Sequence, residues 1–126
     1  TRARFDQAMD GSRLIPGALK QVLTTGINWQ FTNDAFAGLK WRHFAGYPLD
    51  AGEHAKGSDL INVRVGYNAL STVKIMVDVL NVFDSTDHDI EYFYESQLPG
   101  EDVPVADHHY HAFEPRTVRL YVELSF

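Results

Sequence analysis

Residues 114–126, EPRTVRLYVELSF, contain the pattern that decides the fold. From Val118 onward apolar and polar residues alternate strictly, and the apolar ones share one face: Val118, Leu120, Val122, Leu124 and Phe126. Alternation with a period of two predicts a β-strand with one apolar face. That face would pack on a core in a water-soluble sheet, or contact lipid in a membrane β-barrel. The C-terminal pattern alone does not distinguish between a protein core and lipid.

Composition narrows the choice of protein class. The chain has 126 residues, of which 44% are hydrophobic and 22% charged, with a net charge of −6 and no cysteine. Only alternate residues of a membrane β-barrel meet lipid, so average composition is compatible with one. No apolar run approaches the roughly 20 residues of a membrane-spanning helix. The negative charge disfavours nucleic acid as a partner, and the lack of cysteine excludes disulfides and thiolate metal sites.

The alternation recurs along the chain and predicts further strands. They cover residues 22–31, 35–44, 60–67 and 73–83, and residues 1–5 have the pattern of the end of an earlier strand. Each strand has one apolar face, and the opposite faces carry charged residues: Lys40, Arg42, Arg64, Lys74, Asp78, Arg119 and Glu123. A polar face on every strand, charged on all of them except residues 22–31, favours a barrel with lipid outside and water inside.

The connections between the predicted strands alternate in length. Residues 6–17, 46–59 and 84–113 form long loops, whereas residues 32–34 and 68–72 form short turns. In an antiparallel meander alternate connections lie at the same end, so all the long loops are expected at one end. Outer-membrane barrels have this asymmetry, and their strands end in aromatic residues as these do. The pattern predicts an all-β, antiparallel up-and-down meander, about five strands of a larger transmembrane β-barrel.

The last loop holds the candidate site residues. Histidines and carboxylates are frequent in it, and His109 and His111 would point to one side of an extended segment. These residue types suit a transition metal, but a solvated or structural loop explains them more simply, and we assign no metal and no cofactor. Aromatic residues at an outer mouth either contact a ligand or order the loop. The residues assigned to ligand contact are Tyr92, Tyr94, His109 and His111.

The order of several short motifs resembles the C-terminal end of TonB-dependent outer-membrane receptors. Asn81-Val82-Phe83-Asp84 ends a strand, a long loop follows, and Glu114-Pro115-Arg116 opens a strand that ends in Phe126. Further similar stretches are RLIPGA (13–18), VRVGY (63–67), DIEYFYES (89–96) and LPGE (98–101). The resemblance covers essentially the whole chain, residues 1–126.

The resemblance implies a 22-stranded barrel with an N-terminal plug, of which this chain supplies about five strands. It implies uptake of a scarce ligand such as a siderophore, another metal chelate, cobalamin or a carbohydrate across the outer membrane of a Gram-negative cell. The implied partners are outer-membrane lipid, the plug and earlier strands, the TonB complex and the barrel-assembly machinery. The assembly signal would be Val118, Leu120, Val122, Leu124 and Phe126. Because Thr1 lies within a strand pattern, we expect the chain to be a piece of a longer protein.

Two other classes of protein remain as alternatives. A soluble lipocalin-like ligand-binding barrel would turn the apolar faces, such as those of Val63, Val77 and Val122, toward one core. A metal-dependent enzyme would use the histidines of the last loop. The sequence has no nucleophile motif, no phosphate-binding glycine loop and no HExxH, so we expect no enzymatic activity.

Overall fold

The structure, a computed structural model, describes residues 4–9 and 12–126. Its strands in chain order are β1 (Arg4–Met9), β2 (Ser12–Leu14), β3 (Val22–Gln30), β4 (Ala35–Phe44), β5 (Tyr47–Pro48), β6 (His54–Ala55), β7 (Ser58–Leu70), β8 (Val73–Leu80), β9 (His88–Ser96), β10 (Val105–Ala112) and β11 (Thr117–Leu124). One 3₁₀ turn spans Asp50–Gly52. Within these residues no helix is long and apolar enough to cross a membrane. The part of the predicted first strand at residues 1–3 lies outside the described residues.

Five strands form one sheet in the order β11-β8-β7-β4-β3. Strands that pair in this sheet follow one another along the chain, except that β5 and β6 come between β4 and β7, and β9 and β10 come between β8 and β11. The β3–β4 turn is closed by the N–H of Phe31, which donates to the carbonyl of Ala35 at 2.9 Å, and by the Thr32 hydroxyl, which accepts from the Ala35 N–H at 3.0 Å. The prediction of an all-β, antiparallel meander of about five strands is confirmed.

The register separates an apolar from a charged face, as the alternation predicts. Val79 of β8 lies opposite both Val63 and Val118, whereas the next residue, Asp78, lies opposite both Arg64 and Arg119. The apolar face is open to the surroundings: Val118 is 66% exposed and Leu120 is 67% exposed. The same is true of Val122, Leu124 and Phe126.

The buried apolar residues are not part of this sheet. Within the described residues, the buried hydrophobic cluster consists of Tyr47, Leu49 and Ala55, with Phe93 packed against it. The lipocalin-like alternative places the valines of β7, β8 and β11 in one core. The exposure of Val65 and Val122 does not match that arrangement.

The chain divides into two compact units. The sheet unit comprises Leu23–His43, Asp59–Thr86 and Phe113–Phe126. The second unit, which we call the hairpin unit, comprises residues 1–22, Phe44–Ser58 and Asp87–Ala112.

The expectation that the long connections are loops is wrong. Strands β1 and β2 pair within the first, β5 and β6 within the second, and β9 and β10 within the third. Alternation is hard to detect there because neither face of these short ribbons is consistently apolar. In β9–β10 both faces mix histidine, carboxylate and aromatic residues, so hydrophobicity alone does not reveal the strands.

Candidate ligand-binding hairpin

Asn81 ties together the two ends of the last long connection. Its amide Nδ2 donates to the carbonyls of Ser85 and Glu114, both at 2.9 Å, and its Oδ1 accepts from the Ser85 N–H at 2.9 Å. The residue is 3% exposed and has a φ of 49°, a left-handed conformation that asparagine tolerates better than most residues. Where β8 ends, hydrogen bonds of the Asn81 side chain therefore take the place of backbone hydrogen bonds between strands.

Asp84 makes a second tie between the same two segments. Its Oδ1 accepts from the backbone N–H of Arg116 at 2.8 Å, and its Oδ2 lies 3.7 Å from the Arg116 guanidinium. The Asn-Val-Phe-Asp and Glu-Pro-Arg motifs are thus bonded to each other. The sequence identified each motif, but it did not show that one binds the other across about thirty residues of chain.

Strands β9 and β10 bring together all four residues assigned to ligand contact. Tyr92 lies directly opposite His109, whose ring stacks on Tyr94 with centroids 3.9 Å apart and planes at 11°. His111 follows His109 by two residues and lies opposite Ile90, on the same face of the ribbon. We call Tyr92, Tyr94, His109 and His111 the aromatic face.

Two carboxylates lie on the aromatic face as well. Asp107 is the cross-strand partner of Tyr94. Near the base of the hairpin the register shifts, so that Ala112 pairs with His88 and leaves Asp89 as an extra residue. This bulge lets the Asp89 carboxylate lie 2.8 Å from Nδ1 of His111. The sequence analysis assigned neither carboxylate to ligand contact.

The aromatic face is accessible to a ligand. Tyr92 is 54% exposed and Tyr94 is 51% exposed. By contrast, Nε2 of His109 is buried and has no hydrogen-bond partner among the described residues. Tyr92 and Tyr94 are therefore open to a ligand, whereas one nitrogen of the His109 ring is covered.

The opposite face of the hairpin is organised by Glu91. One carboxylate oxygen lies 2.6 Å from Nδ1 of His108, and the other lies 3.7 Å from Nδ1 of His88. His88 also stacks on Tyr110 with centroids 3.7 Å apart, and Nε2 of His108 lies 3.8 Å from a carboxylate oxygen of Glu53. These contacts attach the hairpin to the segment that contains β5 and β6.

Tyr47 fixes the hairpin at the backbone of Glu91. The Tyr47 hydroxyl accepts from the Glu91 N–H at 2.7 Å and donates to the Glu91 carbonyl at 3.0 Å. Burial raises the pKa of Tyr47, against the opposing effect of the hydrogen bond from the Glu91 backbone. Sequence reasoning missed this contact, because nothing links an isolated tyrosine to a residue 44 positions later.

The metal hypothesis finds no cluster in this hairpin. Across residues 4–9 and 12–126, no three histidine or carboxylate side chains converge in a way that could hold a metal ion. The imidazoles of His108 and His111 instead pair with Glu91 and Asp89.

The residues assigned to the assembly signal lie at one edge of the sheet unit. Among the described strands β11 pairs with β8 alone, and the pairing continues past Leu124 through the Ser125 N–H, which donates to the carbonyl of Thr72 at 2.9 Å. The exposed side chains of these residues form part of the apolar face of the sheet: Val118, Leu120, Val122, Leu124 and Phe126.

A solved structure shows what fold this chain shares. This chain is similar to the crystal structure of the ferric-catecholate import receptor Fiu from Escherichia coli K12 in its closed form, with a TM-score of 0.73 and 22% sequence identity. The match covers 97% of this chain and 16% of the receptor chain, so this chain spans about a sixth of that receptor's length. No family profile and no curated protein sequence matches the chain. At this identity the likeness concerns the fold alone, and it supports the all-β, antiparallel fold that the sequence predicts.

Proposed function

We propose that this chain is part of a TonB-dependent receptor that takes up a scarce ligand across the outer membrane of a Gram-negative cell. The observation that carries the proposal is the five-stranded sheet, whose apolar face is exposed while its opposite face pairs charged residues across strands. That arrangement suits a barrel wall between lipid and water. The likeness in fold to an import receptor supports it.

The proposal gives each region a task, none of them catalytic. The apolar face contacts lipid, and the charged face lines the lumen toward the plug. Strand β11 has a free pairing edge within the described residues, which fits pairing first with the barrel-assembly machinery and then with an earlier strand of the receptor. The aromatic face contacts the ligand, and energy for transport comes from the TonB complex.

Fractionation of the full-length protein tests the membrane assignment. We expect it in the outer-membrane fraction, extractable only with detergent, and migrating differently on gels before and after heating because closed barrels resist unfolding. A full-length monomer that is soluble without detergent would overturn the proposal.

Uptake assays test the transport assignment. Cells should accumulate a labelled ligand from a panel of ferric siderophores, cobalamin and oligosaccharides only when both the protein and TonB are present. Tyr92→Ala and Tyr94→Ala should lower accumulation. Tyr110→Ala is the matched control, because Tyr110 is equally exposed but lies on the opposite face.

A further inference from the structure

The charges of the chain are unevenly divided between its two units. The sheet unit contains six basic and six acidic residues, whereas the hairpin unit contains five basic and eleven acidic residues. The hairpin unit therefore carries the entire net charge of −6. Within it, residues 87–112 contain seven carboxylates, four histidines and no lysine or arginine.

The carboxylates of the hairpin reach the aromatic face itself. Asp107 lies opposite Tyr94, and Asp89 lies beside His111 at 2.8 Å. Only one oxygen of Asp89 is engaged in that contact, and Asp107 is exposed, with one oxygen accepting from the backbone N–H of His108. Half-exposed tyrosine rings and carboxylate oxygens thus occupy one accessible surface.

Both kinds of group attract positive charge. The face of an aromatic ring carries negative electrostatic potential, and sites that bind ammonium groups combine such rings with carboxylates. An anion at the same surface would meet the negative potential of seven carboxylates with no arginine or lysine in the hairpin to bind it. Arginine is the side chain that anionic ligands usually require, because its planar fork donates two hydrogen bonds.

We propose that the aromatic face binds a positively charged organic ligand, one that carries an ammonium or guanidinium group, and that it rejects polyanions. This inference rests on the proposed uptake function and specifies the chemistry of its ligand. A ferric complex of three catecholates is a polyanion. The ligand of this chain therefore differs in charge from the ligand class that the name of the structurally similar receptor describes.

Binding to the purified full-length protein in detergent tests the proposal. The probes are benzyltrimethylammonium, a permanent aromatic cation, and the ferric tricatecholate complex, a polyanion. We expect the cation to bind and to shift tyrosine fluorescence, with affinity falling as salt is added, and we expect the polyanion not to bind. The double variant Asp89→Asn, Asp107→Asn should weaken binding of the cation by about tenfold while leaving the shape of the hairpin intact.

Asp102→Asn and Tyr110→Ala are the matched controls. The first removes one carboxylate charge, half the change made in the double variant, from the β9–β10 connection, and the second removes a tyrosine from the opposite face. Both should leave affinity for the cation within about twofold of the wild-type value, since neither side chain lies on the aromatic face. Tighter binding of the polyanion than of the cation, or an unchanged affinity in the double variant, would overturn the proposal.

The same probes separate this inference from the transport function. Energy-dependent uptake of the polyanion through this protein would overturn the inference and leave the transport function standing. Binding of the cation that depends on Asp89 and Asp107, without energy-dependent uptake of labelled benzyltrimethylammonium or of any ligand of the panel, would support the inference and remove the transport function.

Discussion

Arg64 and Asp78 face each other across β7 and β8 and form a double hydrogen bond, with Nε on Oδ1 and Nη2 on Oδ2 both at 2.6 Å. The two residues differ sharply in exposure, because Asp78 is 6% exposed while the Arg64 side chain is 53% exposed. The planar guanidinium thus satisfies a carboxylate that has almost no access to water. Arg119 of β11 lies opposite the same aspartate, so the charged face continues across three strands.

Replacing Arg64 should destabilise the protein more than replacing Asp78. Arg64→Met leaves a buried carboxylate without its partner, which we expect to lower the free energy of unfolding by about 1–3 kcal/mol. Asp78→Asn keeps one acceptor and leaves the arginine in contact with solvent, so the loss should be smaller. Urea unfolding of the full-length protein in detergent, followed by the folded band on unheated gels, measures both.

Lys74→Met is the control for that comparison. Lys74 approaches Glu123 only to 3.9 Å, and both side chains are substantially exposed. Such pairs contribute little, so this change should alter stability by no more than about 0.5 kcal/mol. An equal loss in Lys74→Met and Arg64→Met would contradict the argument from burial.

Asn81→Ala should detach the base of the last connection. The change removes three hydrogen bonds of a 3%-exposed side chain and places alanine at a φ of 49°, a conformation that alanine disfavours. We expect a loss of about 2–4 kcal/mol, most of it from backbone groups that lose their partners. Limited proteolysis should cut within residues 85–113 much faster than in the wild-type protein.

Asn81→Gly separates the two causes. Glycine adopts positive φ without strain, so this variant loses only the hydrogen bonds and should be more stable than Asn81→Ala by about 1 kcal/mol. If the two variants are equally stable, the backbone conformation contributes nothing and the hydrogen bonds account for the whole effect.

The sheet was predictable because a sheet with one apolar and one polar face requires apolar and polar residues to alternate along each strand. The sequence predicts strand β4 at its observed bounds, 35–44, since successive side chains of a strand point to opposite faces of the sheet. Strand β7 is longer than predicted, Ser58–Leu70 instead of 60–67, because its ends carry polar residues that interrupt the alternation. The sequence likewise placed the end of β8 at residue 83, but the left-handed backbone at Asn81 ends the strand at Leu80.

The site was predictable only in part. The shared face of His109 and His111 follows from the period of an extended chain, and the structure also brings Tyr92 and Tyr94 to it. The role of Asp89 was not predictable, because it depends on a bulge that moves the residue into line with His111. Contacts between distant segments, such as that between Tyr47 and Glu91, leave no periodic signal in a single sequence.

Gly66→Ala should disturb the charged face of the sheet at one point. A Cβ at Gly66 would overlap the ring of Phe36, which covers this glycine from the neighbouring strand β4. The ring must move, and overpacking of this kind costs about 1–3 kcal/mol. In the double variant Gly66→Ala, Phe36→Leu the methyl group fills space that the ring vacates. A double-mutant cycle should therefore show a favourable coupling of about 1 kcal/mol or more, whereas additive effects would show that Phe36 does not cover Gly66.

Tyr47 should make the stability of the hairpin depend on pH in the alkaline range. Burial raises the pKa of its hydroxyl in the folded protein, so the unfolded chain loses this proton first as pH rises. The stabilisation that the neutral hydroxyl contributes is therefore fully present below about pH 10, the ordinary pKa of tyrosine. It is lost as pH rises through the raised pKa of the folded protein.

Tyr47→Phe supplies the reference for this effect. At neutral pH the variant should be less stable by about 1–3 kcal/mol, because the Glu91 N–H and carbonyl lose the hydroxyl that bonds both. Above about pH 10 the difference between the two proteins should shrink by up to about 1.4 kcal/mol per pH unit. Unfolding curves of both proteins at pH 7 to 11 measure the difference and cancel the titration of the other tyrosines. A difference that stays constant or grows with pH would show that the buried hydroxyl does not hold its proton more tightly in the folded state.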